Sequence, residues 1–156
     1  MASISMFGKG TVVEVSQNEY NEVPSDLSTV SDLVDFSCVA TSVQHSGISA
    51  DEIDTTTLCS QAKEYEAGDI DPGELTFDAH FVPNECAMYQ ALQAATYDRK
   101  KRLWVVTFEN GSKFACVGYV SNRPWSVPSM SEIVTQTITV KCSGLPVEIL
   151  AACNNS

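Results

Sequence analysis

Basic residues are scarce in the first two thirds of this 156-residue sequence. Residues 1–98 contain two Lys or Arg side chains and 17 Asp or Glu side chains, whereas residues 99–156 contain seven and three, and the net charge is -11. Affinity for nucleic acid depends on clustered Lys and Arg, so this composition disfavours a tight nucleic-acid binder. The asymmetry leaves two interpretations open: a solvated acidic surface that maintains solubility, or an acidic patch that meets the basic patch of a second copy.

Long apolar runs and metal-binding motifs are also missing. No stretch of 18 apolar residues occurs, and residues 1–10 carry one Lys and no continuous apolar segment, so we expect neither a membrane span nor a signal peptide. The six cysteines form no Cys-x-x-Cys pair, and no His stands at a metal-ligand spacing, which argues against zinc. Cys59 and Cys153 are candidates for cross-linking in oxidising surroundings. The other four lie in apolar patterns and are predicted to be small buried residues: Cys38, Cys86, Cys116 and Cys142.

Signatures of catalysis are absent as well. Neither His45 nor His80 belongs to a nucleophile motif such as Gly-x-Ser-x-Gly. Residues 69–74 resemble the start of a calcium loop, but Gly73 occupies the fifth position and His80 the twelfth, where Glu is required. The carboxylates at positions 51, 52 and 54 lack the fixed geometry and desolvation that a glycosidase needs. We therefore expect no enzyme, no metal and no cofactor.

Alternating apolar and polar residues predict a mainly β protein. Strands are predicted at residues 11–15, 33–43, 74–82, 103–108, 113–120, 133–142 and 147–150. Asn110-Gly111 predicts a two-residue hairpin turn, and Ser143-Gly144 a turn before the last strand. One helix is predicted, with Asn84 as its N-cap and its end near Asp98. These elements predict two packed antiparallel β-sheets, as a β-sandwich or partly open barrel with one α-helix, in a single domain at 1–156.

Residues 51–74 interrupt this pattern. They carry charges, turn formers and isolated apolar residues without a sustained period, so we predict an extended acidic arm that becomes ordered on a neighbouring molecule. Its predicted contact residues are Ile53, Asp54, Leu58, Tyr65 and Ile70. The cluster Arg99, Lys100, Lys101 and Arg102 has three interpretations: solvated charges at the helix end, partners for a neighbour's arm, or nucleic-acid contacts.

Two of the predicted strands carry polar faces. Alternation places Thr76, Asp78 and His80 on one face of the first, opposite Leu75 and Phe77. On the other strand, the polar face contains Thr135, Thr137 and Thr139, followed by Lys141, for which the sequence offers no explanation.

The arm contains a series of short motifs in a fixed order. They are Asp51-Glu52-Ile53-Asp54, Thr56-Thr57-Leu58, Ser60, Lys63-Glu64-Tyr65, Gly68, Asp71 and Gly73-Glu74. This order resembles the major tail tube protein family of lambda-like tailed bacteriophages. The resemblance continues through the helix, the hairpin and the Thr-rich strand, over roughly residues 50–150, whereas the first 50 residues match poorly.

The resemblance implies a structural protein of the virion, made in the host cytoplasm. Subunits would join into hexameric rings that stack into a hollow tube, through which DNA passes. The implied partners are further copies of the chain, a tape measure protein, an initiator at the tail tip or baseplate, and a tail terminator, without a membrane. The arm would join rings, residues 99–102 would supply charge partners, and the two polar faces would either line the lumen or meet solvent outside. Two alternatives stay open: a secretion-system tube subunit, and an immunoglobulin-like binding module on a virion surface.

Overall fold

The structure, a computed structural model, describes residues 8–151. Within them, the strands are β1 (Val12–Glu19), β2 (Leu33–Asp35), β3 (Ala40–His45), β4 (Ser49–Asp54), β5 (Tyr65–Asp71), β6 (Glu74–His80), β7 (Arg102–Thr107), β8 (Lys113–Asn122), β9 (Trp125–Ser126) and β10 (Thr135–Ile149). The α-helix, α1, spans Ala87–Asp98, and a short 3-10 helix spans Leu27–Thr29. The predicted mainly β fold with two antiparallel sheets and one helix is confirmed.

The larger sheet curls until its two edges approach each other. Its strand order is β2-β1-β7-β8-β10-β6-β3, with β9 paired to β10, so β2 and β3 lie at opposite edges. Only residues 36–39 connect those two strands. Because five peptide steps span at most about 18 Å, the edges must lie close together. The backbone N–H of Ala40 donates to the Phe36 carbonyl (3.2 Å) within this connection. The sheet is therefore a partly open barrel.

Three aromatic rings occupy the interior of the curled sheet. Phe36 meets Phe77 edge to face at a centroid distance of 5.3 Å, and Phe77 stacks on Trp104 at 5.7 Å. Such pairs contribute about 0.5–1.5 kcal/mol each beyond their area burial. The indole N–H of Trp104 donates to the Gly118 carbonyl at 3.1 Å, so its polar atom is satisfied. Leu92 and Ala95 of α1 pack into the same core.

A second, smaller core lies on the outer face of β7 and β8. Leu27, Leu103, Val105, Ala115 and Val117 form it, because residues 20–33 cross over these strands. Within this segment, the 3-10 helix buries Leu27. Both faces of β7 are consequently buried, whereas the outer faces of β3, β6 and β10 stay uncovered.

The predicted strand at residues 33–43 is wrong in one respect, because a turn divides it into β2 and β3. The Asp35 carboxylate accepts a hydrogen bond from the backbone N–H of Ser37 (2.8 Å), which turns the chain. Phe36 enters the core on the same side as Val34, and the alternation ends there. This local side-chain bond competes with the strand pattern.

The helix ends at Asp98 as predicted, but Asn84 is not its N-cap. Cys86 occupies that position, and the Asn84 side chain accepts from the Cys86 backbone N–H at 3.0 Å, forming a turn before the helix. An Asx turn of this kind delays the first helical residue. Arg99 then ends the helix in the left-handed conformation, with φ of 55°.

Two predicted turns also have different geometry. The β7–β8 hairpin is confirmed, but its loop has three residues, because the Phe108 N–H pairs with the Ser112 carbonyl (2.8 Å) and only Gly111 has positive φ (91°). This is a type I turn with a bulge. At Ser143-Gly144 the chain does not turn. β10 continues through a bulge between Ser143 and Val147, still paired with β8.

The cysteine predictions divide evenly. Cys116 and Cys142 are buried, with sulfur atoms 3.3 Å apart, and their mutual hydrogen bond together with burial raises the pKa of the Cys116 thiol. Cys38 and Cys86 are exposed, contrary to prediction, because they lie at a turn and at the helix N-cap. Cys59 is exposed, and Cys153 lies outside the described residues.

Candidate assembly surfaces

The arm at residues 51–74 forms a β-hairpin, contrary to the prediction that it lacks regular structure. β4 and β5 pair antiparallel, with Ile53 opposite Glu66 and Asp54 opposite Tyr65. Apart from Gly68, every residue of the two strands is exposed. Strand periodicity depends on one buried face, and a hairpin that is exposed on both faces has none. The main contacts of β4 and β5 are with each other, so the hairpin projects from the curled sheet.

The hairpin tip is ordered by its own hydrogen bonds. The Asp54 carboxylate accepts a hydrogen bond from the Thr56 backbone N–H at 2.9 Å. Hydrogen bonds from the side chain and the backbone of Thr56 hold the pKa of Asp54 below its usual value. The Thr55 N–H donates to the Glu64 carbonyl at 2.9 Å, and the Ser60 hydroxyl donates to the Glu64 carboxylate at 2.8 Å. Within the monomer, the tip therefore has a defined conformation before any neighbour binds.

The apolar residues of the hairpin lie on both of its faces. Residues that are directly opposite in an antiparallel pair share a face, so Ile53 lies with Glu66, and Tyr65 lies with Asp54 on the other side. Leu58 is fully exposed at the tip, and Ile53, Tyr65 and Ile70 are each about half exposed. The apolar members of the predicted contact residues thus form two small patches, one on each face of the hairpin, and an exposed tip.

The base of the hairpin is fixed to β3 and β6. The Ser46 N–H donates to the Glu74 carbonyl (3.0 Å), and the Glu74 N–H donates to the Ser46 hydroxyl (2.8 Å). The His45 ring donates from Nε2 to the Pro72 carbonyl at 2.9 Å. Between these hydrogen bonds lies Gly73, which has a φ of 84°. A Cβ at this position would lie 2.5 Å from the Gly47 carbonyl oxygen. This close approach requires glycine and sets the direction of the hairpin.

The structure brings the two predicted polar faces together. β6 and β10 are paired, and Thr135 lies opposite His80, Thr137 opposite Asp78, and Thr139 opposite Thr76. The Asp78 carboxylate accepts from the hydroxyls of Thr137 (3.0 Å) and Ser42 of β3 (2.9 Å). The result is a continuous hydroxyl-rich surface across three strands, which we call the polar wall.

Lys141 has a partner on this polar wall. It lies directly opposite Glu74, and its Nζ atom is 3.7 Å from a Glu74 carboxylate oxygen. Both side chains are about two-fifths exposed. The pair neutralises the one cation of β10, which the sequence alone left unexplained.

The basic cluster at residues 99–102 does not act as one surface. Arg102 is buried, and its guanidinium donates to the Ser16 carbonyl (3.3 Å) and to the Asp98 carboxylate, so it is not available to a neighbour. Arg99 and Lys100 are exposed, and Lys101 is partly buried. Only part of the predicted cluster can therefore contact a neighbouring arm.

A cleft beside Arg99 was not found from the sequence. It has a volume of about 640 Å³ and lies between the end of α1 and the end of β8. Its lining residues include Tyr97, Arg99, Tyr119, Asn122 and Arg123. These residues come from two segments that are more than 15 positions apart, so no local motif could reveal them. We call it the arginine cleft.

An exposed aromatic loop follows β8. Trp125 stacks on Phe81 at a centroid distance of 5.7 Å and stays 62% exposed. Val127, Met130 and Ile133 in the same loop are also exposed. In the sequence, the tryptophan between two prolines was the one indication of an exposed aromatic side chain. The loop has no apolar period, so its burial could not be predicted.

Residues 8–151 contain no cluster of three or more His, Cys, Asp or Glu side chains able to hold a metal ion. Among the same residues, no helix combines the length and apolarity that crossing a membrane requires.

The family model described as phage tail tube, TTP, lambda-like matches residues 20–117, which is more than half of the chain. The chain belongs to this family. It is therefore a structural subunit of a tail tube, as the motif order in the arm indicated. The match begins before the arm, in the region where the sequence motifs were weakest, and it ends before β10.

Three solved structures illustrate the shared fold. The tail of an empty GTA particle, refined with C6 symmetry, has a TM-score of 0.68 at 12% identity, covering 94% of this chain and 100% of that one. The sheath/tube terminator of the extracellular contractile injection system PVC has a TM-score of 0.68 at 11% sequence identity, and the match covers 96% of this chain and 100% of that one. The SPP1 tail tube has a TM-score of 0.62 at 12% sequence identity, and the match covers 93% of this chain and 79% of that one. No curated protein matches the chain significantly.

Proposed function

We propose that the chain forms homo-hexameric rings that stack into the hollow tail tube of a phage-like virion, and that DNA passes through this tube into the host. The observation that carries the proposal is the projecting hairpin, which holds Leu58 fully exposed in an ordered tip. In an isolated monomer this projection exposes an apolar side chain to water, whereas a neighbouring subunit would cover it. Family membership and the C6 symmetry of the related GTA tail support the ring.

The strand directions give the subunit two different ends. At the first, the hairpin end, β3 leads into β4 and β5 leads into β6. At the second, the loop end, β6 ends at His80, β10 begins at Thr135, and α1 ends at Asp98. Contacts between unlike surfaces build open filaments when the operation includes a translation. The hairpin strands are about 20 Å long, enough for the hairpin to reach the loop end of a subunit in the next ring.

The polar wall is the surface that we assign to the lumen. Hydroxyl groups dominate it, and its charged side chains are Asp78 and the Glu74–Lys141 pair. A lumen lined this way offers DNA phosphates no cluster of cations, so the counterion release that drives tight binding does not occur. The wall is also the outer face of the larger sheet that no other described segment covers, whereas residues 20–33 cover β7 and β8.

Other tail components are expected at the ends of the tube. The related structures include the sheath/tube terminator of an extracellular contractile injection system and the baseplate of the anti-feeding prophage. By analogy, the two different ends of the stack would bind an initiator and a tail terminator, and the lumen would hold a tape measure protein. Neither a membrane nor a cofactor enters this assembly.

Electron microscopy of the purified protein across a concentration series tests the proposal. We expect hollow tubes with sixfold rings for the native chain. A variant in which a short Gly-Ser linker replaces residues 50–70 is the comparison, because β3 and β6 are already paired at Ser46 and Glu74. It should fold and lose tubes.

The outcomes separate folding from assembly. Circular dichroism and thermal melting show whether the linker variant keeps the body of the fold. A folded native monomer at every concentration would contradict the proposal, and so would tubes of normal length from the linker variant.

A further inference from the structure

We propose that the arginine cleft is the receptor for the acidic hairpin of a subunit in the adjacent ring. This inference rests on the proposed tube, and it adds the acceptor surface, which the prediction had placed at residues 99–102. Its partner is a second copy of this chain, and the contact joins the hairpin end of one subunit to the loop end of the next.

Charge complementarity is the first observation. Between Ser49 and Asp71 the hairpin carries seven carboxylates and one cation, Lys63. The cleft presents two arginines, Arg99 and Arg123, next to the exposed Lys100. Complementary charges in partly enclosed sites give both orientation and register to a contact.

The unfilled hydrogen-bonding capacity of Arg123 is the second observation. Its Nη1 atom is buried, and no hydrogen-bond partner for it occurs among the described residues. The guanidinium lies over the Tyr89 ring at 5.7 Å, which holds it in place. A buried cationic donor without an acceptor is unfavourable, so a rotation of the Arg123 side chain that brings Nη1 to a carboxylate bound in the cleft would be favourable.

The side chains around the cleft suit a peptide rather than free phosphate. Tyr97 is 75% exposed and Tyr119 is 38% exposed, so the cleft offers two ring faces beside its charges. The hairpin offers apolar groups, Leu58 and Tyr65, among its carboxylates. Arg and Tyr together are typical of protein contact centres. The net charge of -11 disfavours a nucleic acid as the occupant.

The position of the cleft is the third observation. It lies where α1 ends and β8 ends, at the loop end, whereas the hairpin leaves the sheet at the hairpin end. A subunit cannot place its own projecting hairpin in its own cleft at the opposite end. In a head-to-tail stack, however, each cleft faces the hairpin of the next ring.

A charge-exchange experiment tests the inference. The double variant Arg99→Glu, Arg123→Glu should still form hexameric rings but should raise the protein concentration needed for stacking about tenfold or more. Adding Glu52→Arg and Glu66→Arg to the same chain should restore stacking, because both carboxylates lie on the exposed hairpin strands. The control Lys9→Glu, Lys113→Glu has the same net charge change away from the cleft and should stack normally.

Each outcome decides a different question. Native protein that forms neither rings nor tubes contradicts the proposed function itself. Normal stacking by the Arg99→Glu, Arg123→Glu variant overturns the cleft as receptor while the tube stands. Loss of stacking without rescue by the hairpin arginines shows that the cleft has another partner, which also overturns the inference.

A second variant protects the test against misfolding. Arg123 is partly buried, so its replacement can disturb the loop end. Arg99→Glu with Asn122→Glu changes two exposed lining residues instead and should give the same loss of stacking and the same rescue. Circular dichroism confirms that each variant is folded before assembly is measured by electron microscopy and sedimentation.

Discussion

Neighbouring residues on one strand have opposite roles in this protein. Phe77 is 1% exposed and packs between Phe36 and Trp104, whereas Thr76 and Asp78 on either side of it belong to the polar wall. Strand geometry turns successive side chains to opposite faces. The core and the polar wall are therefore built from alternate residues of β6.

Phe77→Asp should abolish folding. Losing the ring costs roughly 3–5 kcal/mol, and burying an unpaired carboxylate adds several more, which together reach the typical stability of a domain. Circular dichroism and thermal melting measure the result.

The matched control is Thr76→Asp, which places the same carboxylate on the polar wall. It should stay folded, at a cost of about 1 kcal/mol. A folded Phe77→Asp protein would contradict the burial of β6 described above.

Gly73→Ala should destabilise the protein and misdirect the hairpin. Positive φ costs an alanine roughly 1 kcal/mol or more, and its Cβ would lie within 2.5 Å of the Gly47 oxygen and 2.7 Å of the Ser46 hydroxyl. Thermal melting gives the cost, and tube formation gives the effect on direction.

Gly111→Ala isolates the backbone part of this effect. Gly111 has a similar φ of 91°, but nothing lies within 4 Å of the position of its Cβ. It should be destabilised less than Gly73→Ala and should assemble normally. Equal melting temperatures for the two variants would show that the close approach at Gly73 has no energetic weight.

At the level of elements, the fold separates a rigid body from a projecting hairpin. β7 is buried on both faces between the two cores, whereas β4 and β5 contact mainly each other. Isolated two-stranded hairpins are marginally stable in water. The hairpin should open far more often than the body unfolds.

Hydrogen exchange tests this difference between elements. In the monomer, the β4 and β5 amides should exchange orders of magnitude faster than those of β7, which should exchange by global unfolding. In tubes, the hairpin amides should become protected because they are covered by the next ring. Equally fast hairpin exchange in monomers and tubes would contradict the assignment of the hairpin to the contact between rings.

The whole molecule has an asymmetric outer surface. Residues 20–33 cover one part of the curled sheet, and the polar wall leaves another part open. Closing six such sheets around an axis gives a tube with one chemical character inside and another outside. Labelling of cysteines can determine which surface is inside.

Thr137→Cys and Ser31→Cys, each made with the exposed Cys38, Cys59 and Cys86 and also Cys153 replaced by Ser, test the lumen. In tubes, Thr137→Cys should react with small N-ethylmaleimide but not with a long polyethylene-glycol maleimide, which is too bulky to enter. Ser31→Cys should react with both, since it lies on the covering segment. Rapid reaction of Thr137→Cys with the bulky reagent would place the polar wall outside, and no reaction with either reagent would place it in a contact between subunits.

Local pattern was sufficient for part of this fold. Alternation located β6, the β7–β8 hairpin and the first half of β10, because each has one face or both faces buried. The order of motifs in the arm indicated the tail tube family, which the family model confirms. The turn at Asp35 and the N-cap at Cys86 were missed, because single hydrogen bonds decide them.

The sequence by itself determined which side chains are apolar and in what period, and hence the β class, the helix and the core of β6. Only the tertiary structure decided which side chains from different elements lie next to each other. It paired Lys141 with Glu74, buried Arg102 against the Ser16 carbonyl, and brought Tyr97 and Arg123 into one cleft. The hairpin also depends on it, because β4 and β5 have no buried face to impose a period. Periodicity records burial, whereas pairing between distant segments leaves no local trace in the chain.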